Sequence, residues 1–252
     1  MTRSRAVVQM PEGSVSSGID VLDRAFALLA AFRSQDNGLT LAELSLRTGL
    51  YKSTLLRLAG SLIHHRFLVR LEDGRYRLGP AGFVLGGHYQ ASLDLGDVLL
   101  PLMRELNQAL GEAISFHIRD GDRRICLYRV NATFAVGHQI REGAVQGLEL
   151  GAGGRVLLAF SGAPGAPYDE IRRTCCYLSH GERDPEVAGI SAPVFGIRQA
   201  LAGALGIVGP ITRVDPAFMI KERGRLLLAA AAATEALGGD SQMLRRAALA
   251  ID

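Results

Sequence analysis

The chain has 252 residues, 48% of them apolar, with 28 Lys+Arg against 25 Asp+Glu and a formal net charge of +3. That length allows one large domain or two ordinary ones with a real core. No window approaches the ~18 uninterrupted apolar residues of a membrane helix. The opening stretch MTRSRAVVQMPEGSVSSG lacks the apolar run of a secretory signal. A disordered arm over residues 1–17 and a cytoplasmic protein with no membrane contact are therefore expected. The three cysteines, Cys126, Cys175 and Cys176, show no C-x-x-C or metal-ligand spacing, so reduced thiols are expected.

Charge is unevenly placed. Residues 1–80 hold 11 Lys+Arg and 7 Asp+Glu, whereas residues 81–252 hold 17 and 18. A basic excess confined to one end is the footprint of a nucleic-acid module joined to a domain with other duties.

The first predicted element is a helix over Ile19–Phe32. Val21, Leu22, Ala25, Phe26, Leu28, Leu29 and Phe32 form its broad apolar stripe. Thr40 and Glu43 make a T-x-x-E capping box that starts a second helix near Leu41. Leu41, Leu44 and Leu46 give it an apolar face, and Gly49 stops it. A third helix is expected over Tyr51–Ile63, with Leu55, Leu58 and Leu62 at core spacing. Tyr51, Lys52, Ser53, Thr54 and Arg57 are left on its outer side, where cations and hydroxyls can reach phosphates and base edges. Phe67–Leu71 and Arg75–Leu78 flank Asp73-Gly74 as a hairpin. Arg70, Arg75 and Arg77 are expected to make one of its faces basic, as a wing along a phosphate backbone would be. Helix, turn, helix and arginine-rich hairpin in that order predict a winged helix-turn-helix over residues 18–80.

A linker helix over 81–92 follows, softened by Gly86 and Gly87. An amphipathic helix over Val98–Leu110 opens a second domain, expected over 93–240. Ala113–Arg119 and Arg123–Val130 flank Asp120-Gly121-Asp122 as a hairpin. Phe134–Arg141 and Leu148–Leu150 read as weaker strands. Gly151-Ala152-Gly153-Gly154 leads into a helix through Phe160, and Tyr168–Tyr177 reads as helical. Ile190–Phe195 and Ala200–Gly209 are further strands, Ala217–Leu237 a long helix, and residues 241–252 a tail. The predicted fold class is α+β, with an antiparallel sheet and flanking helices in the second domain.

Catalytic chemistry finds no support. The histidines (His64, His65, His88, His117, His138 and His180) show no metal pattern, and G-x-S-x-G, P-loop and H-E-x-x-H motifs are absent from the sequence. No enzyme activity, cofactor or metal is expected.

From Ile19 to Leu237 the chain resembles the IclR family of bacterial transcription regulators. The resemblance rests on the winged helix, Arg75-Tyr76-Arg77-Leu78-Gly79, Ser179-x-x-Glu182 with Gly189 to Phe195, and Gly206 to Arg213. It implies a GAF/PAS-like effector-binding C-terminal domain, homodimers or homotetramers, and palindromic double-stranded operators. A repressor of a catabolic operon is the expected role. A constitutive architectural DNA-binding dimer is the alternative. The resemblance points to Leu150, Gly151, Ala152, Gly153, Ser179, Gly189, Ser191, Gly206 and Val208 as effector-site positions. Glycine or valine stands at several of them where relatives carry hydroxyls. A larger or less polar effector is therefore expected, an aromatic or weakly polar organic acid. Ser179, Ser191 and the N–H groups of the glycine-rich turn would be the remaining donors.

Overall fold

The computed structural model describes residues 19–33, 35–92, 95–133 and 140–250. The expected arm, His138 and most of the expected strand over 134–141 lie outside those residues. The chain forms two compact units that divide between Tyr89 and Gln90.

In the first unit, α1 (Asp20–Ala30) packs beside α2 (Leu41–Thr48) and α3 (Lys52–His64). The capping box that begins α2 is formed. Glu43 N–H donates to Thr40 Oγ1 at 3.2 Å, and Thr40 N–H donates to Glu43 Oε2 at 2.8 Å. Gly49 closes α2 in the left-handed conformation at φ 72°, which glycine adopts without Cβ strain. Leu28, Leu44, Leu55, Leu58, Ala59, Leu68 and Tyr76 form the core.

Two apolar stripes prove wider than the surfaces that cover them. Val21, Leu22 and Phe26 of α1 are exposed, because the short α2 and α3 cover only the side bearing Ala25, Leu28, Leu29 and Phe32. Leu46 is also exposed; it sits two positions from buried Leu44, about 200° round the helix.

Arg47 ties α2 to the preceding loop. Its Nη1 donates to Asp36 Oδ2 at 2.5 Å and to Ala31 O at 2.9 Å. The Arg47 hydrogen bond, against some opposition from burial and with help from the Arg33 N–H, holds the Asp36 carboxyl below its ordinary value. A folded-state value below the unfolded one means that this carboxylate stabilises fully above about pH 4 and progressively less as the pH falls through its folded value. The winged-helix unit is expected to lose stability on acidification below about pH 4, and Asp36→Asn to remove part of that dependence. Thermal midpoints from pH 3 to 7 check this; identical profiles for wild type and variant would refute it.

The wing is β1 (Leu68–Arg70) paired with β2 (Tyr76–Leu78), and Leu39 adds a bridge to Tyr76. Val69 pairs with Arg77 and Arg70 with Tyr76. Paired residues share a face and neighbours alternate, so Arg70 and Arg77 leave on opposite faces. The expected single basic face is thus corrected: Arg70 lies over the Tyr76 ring, 6.0 Å from its centroid. Arg75 Nε is held by Asp73 at 2.7 Å within the turn. Helix α4 (Ala81–Ser92) follows, with Phe83, Val84 and Leu85 exposed.

The second unit begins with α5 (Gly96–Leu110), β3 (Ala113–Asp120), β4 (Arg123–Val130) and β5 (Val145–Gly147). It continues with α6 (Ala152–Phe160), α7 (Tyr168–Thr174), β6 (Tyr177–His180), β7 (Val187–Phe195) and β8 (Leu201–Pro210), and ends with α8 (Pro216–Ala236) and α9 (Gln242–Leu249). Six strands form one antiparallel sheet in the order β5-β4-β3-β8-β7-β6. Alternation sorts its two faces. Ile114, Phe116, Ile190, Ala192, Leu205 and Ile207 meet α5 and α8 in the main core. Ser115, His117, Gly189, Ser191, Gly206 and Val208 face the other way, towards α6.

Several expected boundaries are corrected. Strand β5 sits at 145–147 rather than 148–150; Leu148 is buried under α6 and α7 instead. The helix expected through Tyr177 stops at Thr174, because Cys175 turns left-handed at φ 55°. Tyr177 then starts β6, pairing with Ser191. The tail, open in sequence between a last partial helix and a frayed end, is helix α9, whose Leu244 is fully buried.

Candidate functional site

The described residues present two arrangements with chemical capacity, one in each unit. The first is the outer face of α3. Tyr51 stands at its N-cap, 84% exposed. Lys52, Ser53 and Arg57 are exposed, and Thr54 is half-buried. Ser53 and Arg57 are four residues apart and share a face, while Leu55, Leu58 and Ala59 anchor the opposite side. A helix held by its apolar side and offering hydroxyls and cations from its N-terminal turns can enter a major groove. Arg77 is exposed on the wing; Arg75 is tied into the turn.

The second is a cavity of about 50 Å³ on the α6 face of the sheet. Gly151, Ala152, Gly153, Ser179, Gly189, Ser191, Gly206 and Val208 all line it, whereas Leu150 stands off it, 47% exposed. Four polar lining residues stand outside the predicted site set: Ser115, His117, Arg124 and Arg183. The strand AISFHIR did carry a signal, since Ser115 and His117 break an apolar run at alternate positions and so share a face.

The glycines do not enlarge this space. Gly206 pairs with Ser115 on one side and Ser191 on the other, and a Cβ on it would collide with Ser191 Oγ. The hydroxyls thus stand on β3 and β7, on either side of the glycine. Strands β3 and β4 also contribute a histidine and an arginine to the lining.

The electrostatics are one-sided. His117 and Arg124 are 6% and 3% exposed. Burial, reinforced by Arg124, Arg129 and Arg183, holds the His117 imidazole down at about 3, so it is neutral at pH 7. Burial, then the like charge of Arg183, lowers Arg124 to about 10. Arg124 Nε donates to Gln146 Oε1 at 3.1 Å. His117 Nε2 is buried with no hydrogen-bond partner among the described residues. Among the described residues, no Asp or Glu lines the cavity. The neighbouring carboxylate, Glu182, is already engaged. It accepts from Gly151 N–H at 3.2 Å, Arg155 Nε at 3.2 Å and Tyr177 OH at 2.7 Å. Those partners outweigh burial and hold its carboxyl below the ordinary range.

A winged helix-turn-helix followed by an α+β unit with a polar cavity is the build of a two-part DNA-binding regulator. The description "IclR helix-turn-helix domain" matches residues 21–72, and "Bacterial transcriptional regulator IclR C-terminal" matches residues 87–164. The chain belongs to the IclR family of bacterial transcriptional regulators. It is 28% identical to the HTH-type transcriptional regulator KipR of Bacillus subtilis, over 74% of this chain and 84% of that one. It is 25% identical to the HTH-type transcriptional regulator XynR of Escherichia coli, over 87% and 98%. An IclR homolog from Microbacterium hydrocarbonoxydans, complexed with 4-hydroxybenzoate, shares the fold at a TM-score of 0.74 and 22% identity, over 86% of this chain and 99% of that one.

Proposed function

We propose that this regulator represses a catabolic operon and releases or tightens its grip on DNA when a small organic acid enters the cavity. The cavity carries the reading. It holds a buried, unbonded histidine and a buried arginine with no facing carboxylate among the described residues, an arrangement without structural benefit unless something is bound there. That a relative of the same fold is complexed with 4-hydroxybenzoate supports a ligand-responsive role. A homodimer or homotetramer in the cytoplasm would place two α3 helices on a palindrome, with half-sites about one helical turn apart. Tyr51, Lys52, Ser53, Thr54 and Arg57 would meet the groove, with Arg57 and its neighbours reading bases and Lys52 and the wing arginines meeting phosphates.

Footprinting the full chain on the DNA upstream of its own gene, with and without metabolites of the neighbouring operon, tests this. A protected palindrome that changes with one compound is expected. Protection indifferent to every compound would replace this reading with a constitutive architectural one.

A further inference from the structure

Helix α8 is apolar on more sides than the sheet can cover. Leu226, Leu227, Ala230 and Ala231 are buried in the main core. Ile220 and Leu228 point away from it, 57% and 49% exposed. Ile220, Gly224, Leu228 and Ala232 follow one another every fourth residue and so form one ridge. A groove of about 250 Å³ lies between α8 and α5, lined by Leu102, Leu106 and Ala109 of α5 and by Leu228, Ala229 and Ala232 of α8. Glu105 and Arg225 also stand at it. Arg225 Nε meets Glu222 at 3.0 Å. Glu105 is exposed and has no ion-pair partner among the described residues. Lys221, its side chain 81% exposed, lies one turn before Arg225 on the same flank.

This face is complementary to itself in size and in charge. The ridge reads large, small, large about Gly224. An antiparallel copy centred there would seat Ile220 of each chain against Leu228 of the other, and the two glycines would let the helices approach closely. Ridges of this spacing interdigitate in the commonest class of helix packing. The charges follow the same symmetry. Helix α5 enters β3 and α8 leaves β8 at one end of the sheet, where Ala113 pairs with Val208 and Arg213 Nε meets Glu112 at 2.6 Å. The two helices therefore run antiparallel. A two-fold axis that crosses the α8 helices at Gly224 also lays α5 over α5. It brings Glu105, beside Leu228, over Lys221 of the second copy, beside its Ile220, and does so twice.

We propose that the α5–α8 face docks a second copy of this chain, joined about a two-fold axis at Gly224 into a four-helix layer. In such an isologous contact each group is used twice, once from either side. The apolar ridge and groove supply the affinity. The Glu105–Lys221 pairs fix the order, since exposed ion pairs add little affinity but penalise arrangements that set like charges together. The contact is independent of what the cavity on the other face of the sheet binds.

Sedimentation velocity of the full chain over a wide concentration range tests this. Leu228→Glu is expected to weaken self-association at least about tenfold and to remove one dimerisation step. Lys221→Glu and Glu105→Lys change only exposed side chains, so both variants should fold. Each alone sets like charges together at both ends of the contact and should weaken association at least about threefold. An equimolar mixture of the two should associate as tightly as wild type, because a mixed pair regains an opposite charge at each end. Contacts made by the first unit cannot give that rescue, since neither residue belongs to it. A wild-type chain that stays monomeric would overturn the inference. So would charge reversals without effect, or a mixture no tighter than its components. Undiminished self-association in a folded Leu228→Glu would give the face to another occupant and overturn it as well.

Discussion

Phe116→Ala is expected to destabilise the second unit by about 3–5 kcal/mol. Phe116 is fully buried at the middle of β3, with Tyr128 and Leu205 as its strand partners. Its ring lies against bare Gly203, where any Cβ would collide with Cζ. Strand β3 is itself held between β4 and β8, so the backbone cannot move in to fill the space that alanine leaves. The cost should therefore fall at the upper end of the range for large-to-small changes, where a site cannot collapse. Hydrogen exchange on the full chain can separate the units. Protection of β3 and β8 amides should fall by the stated amount, while α2 and α3 keep theirs. A loss under 1 kcal/mol would show that the sheet relaxes around the void. The change should also reach the cavity, because Ser115 and His117 flank Phe116 on the opposite face.

The winged helix was legible in the sequence because its signals are local. A capping box, a left-handed glycine and an i, i+3, i+7 apolar spacing each act within one or two turns, and each reappears within a residue or two. The wing was legible as a hairpin but not as a surface. Its register, not its composition, puts Arg70 on the face of Tyr76 and Arg77 on the other, and Asp73 captures Arg75. Register depends on the turn and on the bridge to Leu39, which lies 37 residues from Tyr76 in sequence.

The cavity was legible in outline only. Reading the glycine-rich turn, β7 and β8 found one wall. The rest of the same sheet face is made by β3 and β4, and Arg124 reaches the first turn of α6 because the sheet order puts β3 beside β8. Position-by-position comparison counted hydroxyls lost from β8. It could not see that Ser115 and Ser191 stand on either side of Gly206 and supply them from neighbouring strands. Strand β6 was hidden for a different reason. Tyr168–Arg173 is acidic at its start and basic at its end, as a helix would be, and the left-handed turn at Cys175 ends it.

Arg57→Ala and Arg77→Ala are expected to weaken DNA binding in two distinguishable ways. Arg57 projects from α3 one turn beyond Ser53, on the face that buried Leu55 and Leu58 turn outward. A guanidinium there can bond two acceptors on one guanine edge, a contact worth about 1–3 kcal/mol of discrimination. Its loss should lower operator affinity about 5–150-fold and random-sequence affinity far less, so the specificity ratio falls. Arg77 sits on a two-stranded wing, exposed and opposite Val69. A wing lies along the backbone, so its loss should weaken all sequences nearly alike and reduce the slope of log affinity against log salt by about one. Arg75→Ala should do less than Arg77→Ala, because Asp73 already neutralises that guanidinium and release of the aspartate offsets part of the lost attraction. Salt-dependent binding isotherms on operator and scrambled duplexes measure all three quantities. An equal loss on both duplexes for Arg57→Ala would move that residue from base edge to phosphate. A larger effect for Arg75 than for Arg77 would mean that the turn opens on DNA and frees its arginine.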